Sequence, residues 1–225
     1  MVMILKPFGI AYFPVPKVAN TSVKAGIREA LSDADILDNG NKRMSAGLRE
    51  MTRDMFRIAV VREPVERGLS GWANRVMHER DVDRSAISKA ALKPFGLGPF
   101  PDADTFFLNL GKYMAVNDRV RRHLLPQAAY LGDDLSFFHA VYRIDELGRL
   151  AADLSARIGK TISFGRHQTG GPKIRFSDLS RAAAEKLTRH FEADYRLLAT
   201  FYSPKPLPND ADRRAARGAR KDLTR

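Results

Sequence analysis

Apolar positions recur along the chain with two alternating periods, one typical of strands and the other of helices. Ile10–Val15 and Phe56–Val61 predict strands, and the second (FRIAVV) is apolar enough to be a fully buried parallel strand. Phe137–Arg143 predicts a third strand, with His139 as a core residue inside it. Helical spacing follows each strand, so the order predicts an α/β domain of three layers with a mainly parallel sheet flanked by helices.

The predicted helices are marked by apolar residues three or four positions apart. Val23, Ile27 and Leu31 form one such stripe, and either Thr21 or Ser22 is the expected N-cap. Pro64 predicts the first residue of the helix that follows the second strand. Further helices are expected near residues 46–54, 103–113, 118–125, 145–158 and 177–201. Between them, residues 79–104 show no helical period and predict a long exposed connection.

Length and composition indicate one globular domain with a basic tail. The chain has 225 residues, of which 44% are hydrophobic and 28% charged, a balance that permits a buried core and excludes disorder for most of the chain. We expect a domain over residues 1–203 and a flexible extension over residues 204–225. That extension holds seven Lys or Arg and three Asp, and so contributes +4 to the formal charge of +12.

Two compositional features narrow the classes of function. The absence of Cys excludes a disulfide framework, a thiolate zinc site, an iron–sulfur cluster and a cysteine nucleophile. No run of about 18 apolar residues is present, and the proline-interrupted N-terminal segment is unlike a signal peptide, so we expect a cytoplasmic protein. The isoelectric point of about 10.2 favours an anionic partner without naming it.

The first candidate motif is PKVANTS, which joins the first strand to its helix. A helix start offers unpaired N–H groups that bind anions, and Lys17, Thr21 and Ser22 add a charge and two hydroxyls there. Ala19 permits close approach, and Asn20 is expected to supply a left-handed backbone conformation. The motif lacks the Walker pattern GxxxxGK[ST], so an ordinary capped helix remains the alternative at this point.

The second candidate motif is VVREPVERGLSGW. The buried strand brings Arg62 to its carboxyl end, where open α/β sheets bind ligands, and Ser70 lies on the helix that begins at Pro64. A guanidinium fork and a hydroxyl suit a phosphate monoester. The alternative is that Arg62 pairs with Glu63 or Glu66.

Together the two motifs resemble the cofactor signatures of sulfotransferases that use 3′-phosphoadenosine-5′-phosphosulfate (PAPS). PKVANTS resembles their PKxxxTS loop for the 5′-phosphosulfate, and VVREPVERGLSGW resembles their VRDPxxRxxSxY segment for the 3′-phosphate. Three downstream segments, HLLPQAAYL, AVYRIDEL and FEADYRLL, are similar to the carbohydrate-type branch, sulfotransferase family 2. The chain departs from the pattern at Glu63, where Asp is usual, and at Asn20, where a small residue is commoner.

The resemblance implies a P-loop-like fold, PAPS as donor, and a hydroxyl acceptor that belongs to a saccharide. Val18, Ala19, Asn20, Thr21 and Ser22 would then hold the 5′-phosphate, and Lys17 would stabilise charge on the leaving oxygen. Arg62 and Ser70 would hold the 3′-phosphate. No metal is implied, and the sequence has no metal-ligand spacing.

The acceptor hydroxyl also requires a general base with a pKa near the working pH. His123, in the family-like HLLPQ segment, is the candidate, and the alternative is that it shapes the acceptor pocket or caps a helix. Glu29 is held in reserve, because the region between the two cofactor motifs has carboxylates and no His. His78 and His190 are expected to be solvated surface residues. His167 is expected in a loop that covers the cofactor.

Three other functions remain open on the sequence alone. A P-loop phosphotransferase is disfavoured because the Walker glycines and a carboxylate pair for Mg²⁺ are missing. A nucleic-acid- or polyanion-binding module is suggested by the charge, but the chain lacks the signatures of such modules. An inactive relative is disfavoured because Lys17, Arg62 and Ser70 are intact.

Overall fold

The structure, a computed structural model, describes residues 2–40, 43–165 and 170–209. The chain divides into two compact units. In the described residues, the first unit comprises residues 2–62 and 126–165, without the gap at 41–42. The second unit comprises residues 63–125 and 170–209. The prediction of one domain over residues 1–203 stays a prediction, and most of the predicted tail, from residue 210, lies outside the described residues.

The first unit contains a mixed five-stranded sheet. Its strands, in the order in which they lie side by side, are β3 (Ile36–Asp38), β1 (Met3–Leu5), β2 (Ile10–Phe13), β4 (Phe56–Val61) and β5 (Ala140–Arg143). Strand β4 is parallel to both of its neighbours, whereas β1 pairs antiparallel with β2 and with β3. The predicted parallel sheet is therefore confirmed for β2, β4 and β5, whose inward-facing apolar residues form the core of this unit.

The antiparallel half of the sheet was not predicted. Strand β1 precedes the predicted strand Ile10–Val15, and a short 3₁₀ turn at Lys6–Phe8 folds it back onto β2. Strand β3 has only three residues, too few to show a period of two. The fifth strand is also shorter than predicted, because residues Leu135–Phe137 form a 3₁₀ turn before it.

The α-helices in the described part of this unit are α1 (Asn20–Ala30), α2 (Ala46–Met51), α8 (Ala128–Leu131) and α9 (Leu147–Ile158). Lys24 and Arg28 on α1 each approach the Asp38 carboxylate of β3 to 2.8 Å, which fixes the helix against the sheet edge. Gly26 permits close packing on the other side of α1, because an added Cβ there would lie 2.0 Å from the Ser163 carbonyl oxygen. The helix predicted for residues 145–158 ends at Ile158 as expected, and the left-handed Gly159 that follows it, with φ of 72°, is its C-cap.

The second unit is helical in its described residues. It contains α3 (Pro64–Trp72), α4 (Ala86–Leu92), α5 (Ala103–Leu108), α6 (Leu110–Val116), α7 (Asp118–Leu124), α10 (Arg181–His190) and α11 (Glu192–Leu197). Helix α4 corrects the prediction of an irregular connection over residues 79–104. The helix predicted for 177–201 is broken at Phe191. The apolar stripe of this segment is nevertheless buried, at Leu187, Phe191, Tyr195 and Leu198. Among the described residues no helix is long and apolar enough to cross a membrane.

Candidate functional site

The loop between β2 and α1 has a strained backbone. Lys17 and Ala19 both adopt left-handed conformations, with φ of 68° and 61°, which residues with a Cβ rarely do. Helix α1 begins at Asn20 with Ala19 as its N-cap, and no side chain caps it among the residues that the structure describes. The expectations of a Thr21 or Ser22 N-cap and of a left-handed Asn20 are wrong, because all three residues lie in the first helical turn.

This backbone suits an anion. Left-handed residues that alternate with other conformations turn successive N–H groups toward one concave face, and the start of α1 adds the positive end of its dipole. Val18 is fully buried, Thr21 is exposed, and Ser22 is almost buried, so the loop is anchored by its apolar side chain while a hydroxyl remains accessible. Strain of this kind is typical of ligand-binding loops.

Arg62 follows β4 directly and lies beside this loop. Its guanidinium Nη1 donates to the Lys17 carbonyl oxygen at 3.3 Å. Its backbone is held by the fully buried side chain of Gln127, whose Oε1 accepts from the Arg62 N–H at 3.1 Å and whose Nε2 donates to the Arg62 carbonyl at 2.7 Å. The first unit therefore brings Lys17 and Arg62 together. Gln127 was not predicted as a site residue, although it lies in the HLLPQ segment.

Helix α3, which begins two residues after Arg62, has a capped start. Its N-cap, Glu63, accepts the Glu66 N–H on Oε2 at 2.7 Å and the Arg67 N–H on its carbonyl oxygen at 3.0 Å. Pro64, as predicted the first helical residue, has no N–H to satisfy. The carboxylates of Glu63 and Glu66 both have partners within the second unit, because Glu63 caps the helix and Glu66 contacts the Lys205 ammonium.

Tyr195, on α11, completes this cap. Its hydroxyl donates to Glu63 Oε1 and accepts a hydrogen bond from the Val65 N–H. Burial and the contact with the Glu63 carboxylate both raise the pKa of the Tyr195 phenol far above its usual value, so the hydroxyl stays protonated. Every N–H of the first turn of α3 thus has a partner within the second unit.

Ser70 lies on α3, six residues beyond its first residue, and is half-buried. The next residue, Gly71, brings α3 close to the end of α7, because a Cβ there would lie 2.6 Å from Leu124 Cδ2. After Trp72 the helix widens into a π-helical turn at Ala73–His78, a distortion that is frequent near functional sites. Ser70 and the His123 segment therefore belong to one packed pair of helices in the second unit.

His123 occupies the last turn of α7 and is half-buried. Its Nδ1 lies 2.8 Å from the Arg119 carbonyl oxygen. Because a carbonyl only accepts, Nδ1 carries the proton and the lone pair of the neutral ring is on Nε2. In this tautomer a neutral ring can accept a proton on Nε2.

The carbonyl end of α7 is held by two side chains that the sequence did not indicate. Arg67 donates through Nη1 to the His123 carbonyl at 3.2 Å and through Nη2 to the Leu125 carbonyl at 2.5 Å. His190 donates through Nε2 to the Leu124 carbonyl, between these two, at 2.8 Å. Three consecutive carbonyl groups that a helix end leaves without backbone partners are thus satisfied.

Arg67 is itself buried. It is 0% exposed, its Nη2 lies 3.7 Å from a carboxylate oxygen of the equally buried Asp194, and its guanidinium carbon lies 5.0 Å from the Phe191 ring centre. Burial lowers the pKa of the adjacent His190, whose bond to Leu124 opposes the shift. The expectation that His190 is a solvated surface residue is therefore wrong. A signal was present in the FEADYRLL segment, whose Asp and Tyr supply Asp194 and Tyr195.

The other candidate residues lie apart from these contacts. His139 precedes β5, is exposed rather than in the core, and accepts the Arg57 N–H on Nδ1 at 3.0 Å. His78 is exposed, as predicted, and so is Glu29 in the last turn of α1. His167 lies outside the described residues.

The structure is thus that of an α/β protein in which a strained loop lies beside a strand-end arginine, a combination suited to an anion. A family model described as the sulfotransferase family matches residues 2–202. The chain belongs to this family, which confirms the resemblance to sulfotransferase family 2. Neither the curated proteins nor the solved structures gave a match.

Proposed function

We propose that the protein transfers a sulfuryl group from PAPS to a hydroxyl group of a saccharide. The observation that carries this proposal is the pairing of two anion-binding elements on adjacent parallel strands. Strands β2 and β4 run in the same direction, so the Lys17 loop and Arg62 follow their carboxyl ends at one edge of the sheet. The contact between Arg62 and the Lys17 carbonyl couples the two elements.

The donor set of the loop fits a phosphosulfate. The start of α1 has no capping side chain among the described residues, and the left-handed Lys17 and Ala19 orient the intervening amides toward a ligand with several oxygens. When bound, PAPS supplies the sulfuryl group that is transferred. The amides of residues 18–22 would bind its 5′-phosphate, and the Lys17 ammonium would stabilise the charge that develops on the departing oxygen.

Arg62 and Ser70 would bind the 3′-phosphate and so select this cofactor over a nucleotide that lacks it. The guanidinium can contact two phosphate oxygens, and the Ser70 hydroxyl can donate to a third. Because the first turn of α3 is capped by Glu63 and Tyr195, its N–H groups are already paired. Selectivity for the 3′-phosphate therefore depends on side chains.

His123 would act as the general base. Nε2 holds the lone pair that accepts the hydroxyl proton, and the bond from Nδ1 to the Arg119 carbonyl keeps the ring in this tautomer and stabilises the cation that results. Glu29 is less suited, since at 1.5 Å per residue it lies about 13 Å along α1 from Asn20, at the end remote from the loop.

The architecture and location that accompany this function are part of the proposal. We infer the three-layer, P-loop-like arrangement of helices from the alternation of parallel strands and helices together with membership of the family. A cytoplasmic location is supported by the absence of Cys.

Nucleotide selectivity tests the proposal. Adenosine 3′,5′-bisphosphate should raise the melting temperature of the protein more than AMP does, and labelled sulfate should pass from PAPS to a saccharide in a screen of acceptors. Arg62→Ala should weaken bisphosphate binding by roughly 10–100-fold, the effect of losing a charged hydrogen bond, while AMP binding changes less. Arg53→Ala, which removes an exposed arginine, is the matched control.

Two outcomes would overturn the proposal. Equal stabilisation by AMP and the bisphosphate, with ATP binding that requires Mg²⁺, would favour a phosphotransferase. Binding of nucleic acid or heparin without nucleotide selectivity would favour a polyanion-binding protein.

A further inference from the structure

The residue that follows Arg62 is an acid, and an acid could compete with a phosphate for the neighbouring guanidinium. The structure shows how the Glu63 carboxylate is engaged. Its Oε2 accepts the Glu66 N–H at 2.7 Å, and its Oε1 accepts the hydroxyl of Tyr195. Both carboxylate oxygens therefore have a donor at the start of α3, where the helix dipole also favours a negative charge.

Tyr195 is well placed to maintain this arrangement. It is 6% exposed, and its hydroxyl acts twice, as donor to Glu63 and as acceptor from the Val65 N–H. The preceding residue, Asp194, is fully buried against Arg67, which lies on α3 itself. The phenol is thus fixed to the helix through two neighbouring contacts from α11, and its hydroxyl sets the orientation of the carboxylate.

The hydrogen bonds to Glu63 affect how strongly its carboxylate competes with a phosphate for the Arg62 guanidinium. A carboxylate and a phosphate monoester are both good bidentate partners of Arg, so an unrestrained Glu63 would compete with a 3′-phosphate for Arg62. A carboxylate that is already hydrogen-bonded on both oxygens competes less, because it would have to give up these bonds. Glu63 also accepts the N–H groups of Glu66 and Arg67, which could otherwise bind a phosphate at the start of α3.

We propose that Tyr195 and Glu63 form a positioning pair that gives the site its selectivity for the 3′-phosphate, by engaging the Glu63 carboxylate at the start of α3. The proposal rests on the proposed function. Tyr195 acts through Glu63 and contacts no ligand. The role of Tyr195 is to hold the Glu63 carboxylate so that the neighbouring Arg62 can bind a phosphate.

Calorimetric titration of three proteins with adenosine 3′,5′-bisphosphate and with AMP tests this role. In Tyr195→Phe the ratio of the two affinities should fall by about tenfold, the equivalent of one charge-assisted hydrogen bond, because only bisphosphate binding is weakened. In the double variant Tyr195→Phe/Glu63→Gln the ratio should recover most of this loss, because the competing charge is gone. Tyr142→Phe is the matched control, since it removes a hydroxyl donor to a carboxylate, that of Asp153, in the other compact unit.

The outcomes separate this proposal from the proposed function. A wild type without preference for the bisphosphate would overturn both. A wild type with the preference and an unchanged ratio in Tyr195→Phe would overturn the positioning pair alone. A loss that Glu63→Gln does not restore would assign Tyr195 a purely structural role and overturn the pair as well. If Tyr195→Phe does not fold, titration of the single variant Glu63→Gln provides the test. Bisphosphate should then bind no more weakly than to the wild type, and weaker binding would contradict the positioning role.

Discussion

Helices α1 and α3 each follow a parallel strand of the same sheet, yet their first turns are built in opposite ways. Helix α1 starts after the left-handed residues Lys17 and Ala19 and has no capping side chain among the described residues. Helix α3 starts with Pro64 and is capped by Glu63 and Tyr195. One start follows a strained loop and lacks a capping side chain, whereas the other is capped by side chains of the same unit.

The two helix starts should therefore contribute differently to ligand binding and to the stability of the fold. A loop with unusual backbone angles contributes little to folding, and on the proposed function its cost would be offset when an anion binds. A helix start whose donors are all paired contributes to folding and leaves ligand recognition to side chains such as Arg62. Substitutions around α3 should therefore reduce stability most, and substitutions in the α1 loop should reduce activity most.

The largest effect is expected at Arg67. Arg67→Met leaves the Asp194 carboxylate buried without its charged partner and removes the donors to the His123 and Leu125 carbonyls. Removal of one member of a buried ion pair costs about 3–5 kcal/mol, and urea unfolding should show a loss of this size. Arg196→Met is the control, because the exposed Arg196–Glu192 pair should contribute less than about 1 kcal/mol. Equal effects in the two variants would contradict the importance of the buried pair.

The next largest effect is expected at Lys17, in the turnover number. Loss of a donor that stabilises developing charge typically lowers the rate by about 10²–10³-fold, and Lys17→Ala should do so while the stability of the protein changes little. Sulfate transfer from labelled PAPS measures the rate, and thermal unfolding measures the stability. Lys6→Ala removes a lysine of the same unit that donates to the Ala34 carbonyl, and it should leave turnover intact. Normal turnover in Lys17→Ala would remove this residue from the chemistry.

A smaller effect should appear in the pH dependence of stability. Burial lowers the pKa of His190, and the Arg67 charge lowers it further, against the opposing influences of the Leu124 carbonyl and Asp194. Since a folded His190 resists protonation, the free energy of unfolding should fall as the pH drops below about 6.5, where the unfolded residue gains a proton. His190→Gln, which can still donate to Leu124, should flatten this decline, and His78→Gln should not. An unchanged profile in His190→Gln would show that another group causes the decline.

The smallest effect is expected at Ala19. Glycine adopts the left-handed conformation without steric cost, so Ala19→Gly should raise stability by at most about 1 kcal/mol. At Ala25, in the middle of α1, the same replacement should lower stability by roughly 0.5–1 kcal/mol. Chemical denaturation of the two variants would show the opposite signs. A clear loss in Ala19→Gly would mean that the loop is not strained.

The sequence predicted the features that depend on local pattern and missed those that depend on distant contacts. The bounds of β4, the start of α3 at Pro64 and the stop of α9 at Gly159 follow from apolar runs and from residues with restricted or unusual backbone angles. The antiparallel pairing of β1 and the strained geometry of Ala19 have no such local signal. Helix α4 was missed because its exposed Ile87 obscures the apolar period.

In the candidate site, too, the sequence indicated individual residues but not the contacts between distant parts of the chain. Lys17 and Arg62 were chosen from two motifs, and the contact between them is found only in three dimensions. The roles of Gln127, Arg67 and Tyr195 depend on partners that are 56 or more residues away in the chain, a separation at which periodicity carries no information.

The contrast between the two helix starts can be measured directly by following backbone amide resonances during titration with adenosine 3′,5′-bisphosphate. The account predicts saturable shifts at Thr21 and Ser22, where the amides would bind the 5′-phosphate. The Val65 and Glu66 amides, already bonded to Tyr195 and Glu63, should shift much less. Large shifts at Val65 and Glu66 with unchanged resonances at Thr21 and Ser22 would contradict it, because the phosphate would then bind at the start of α3 and not at the start of α1.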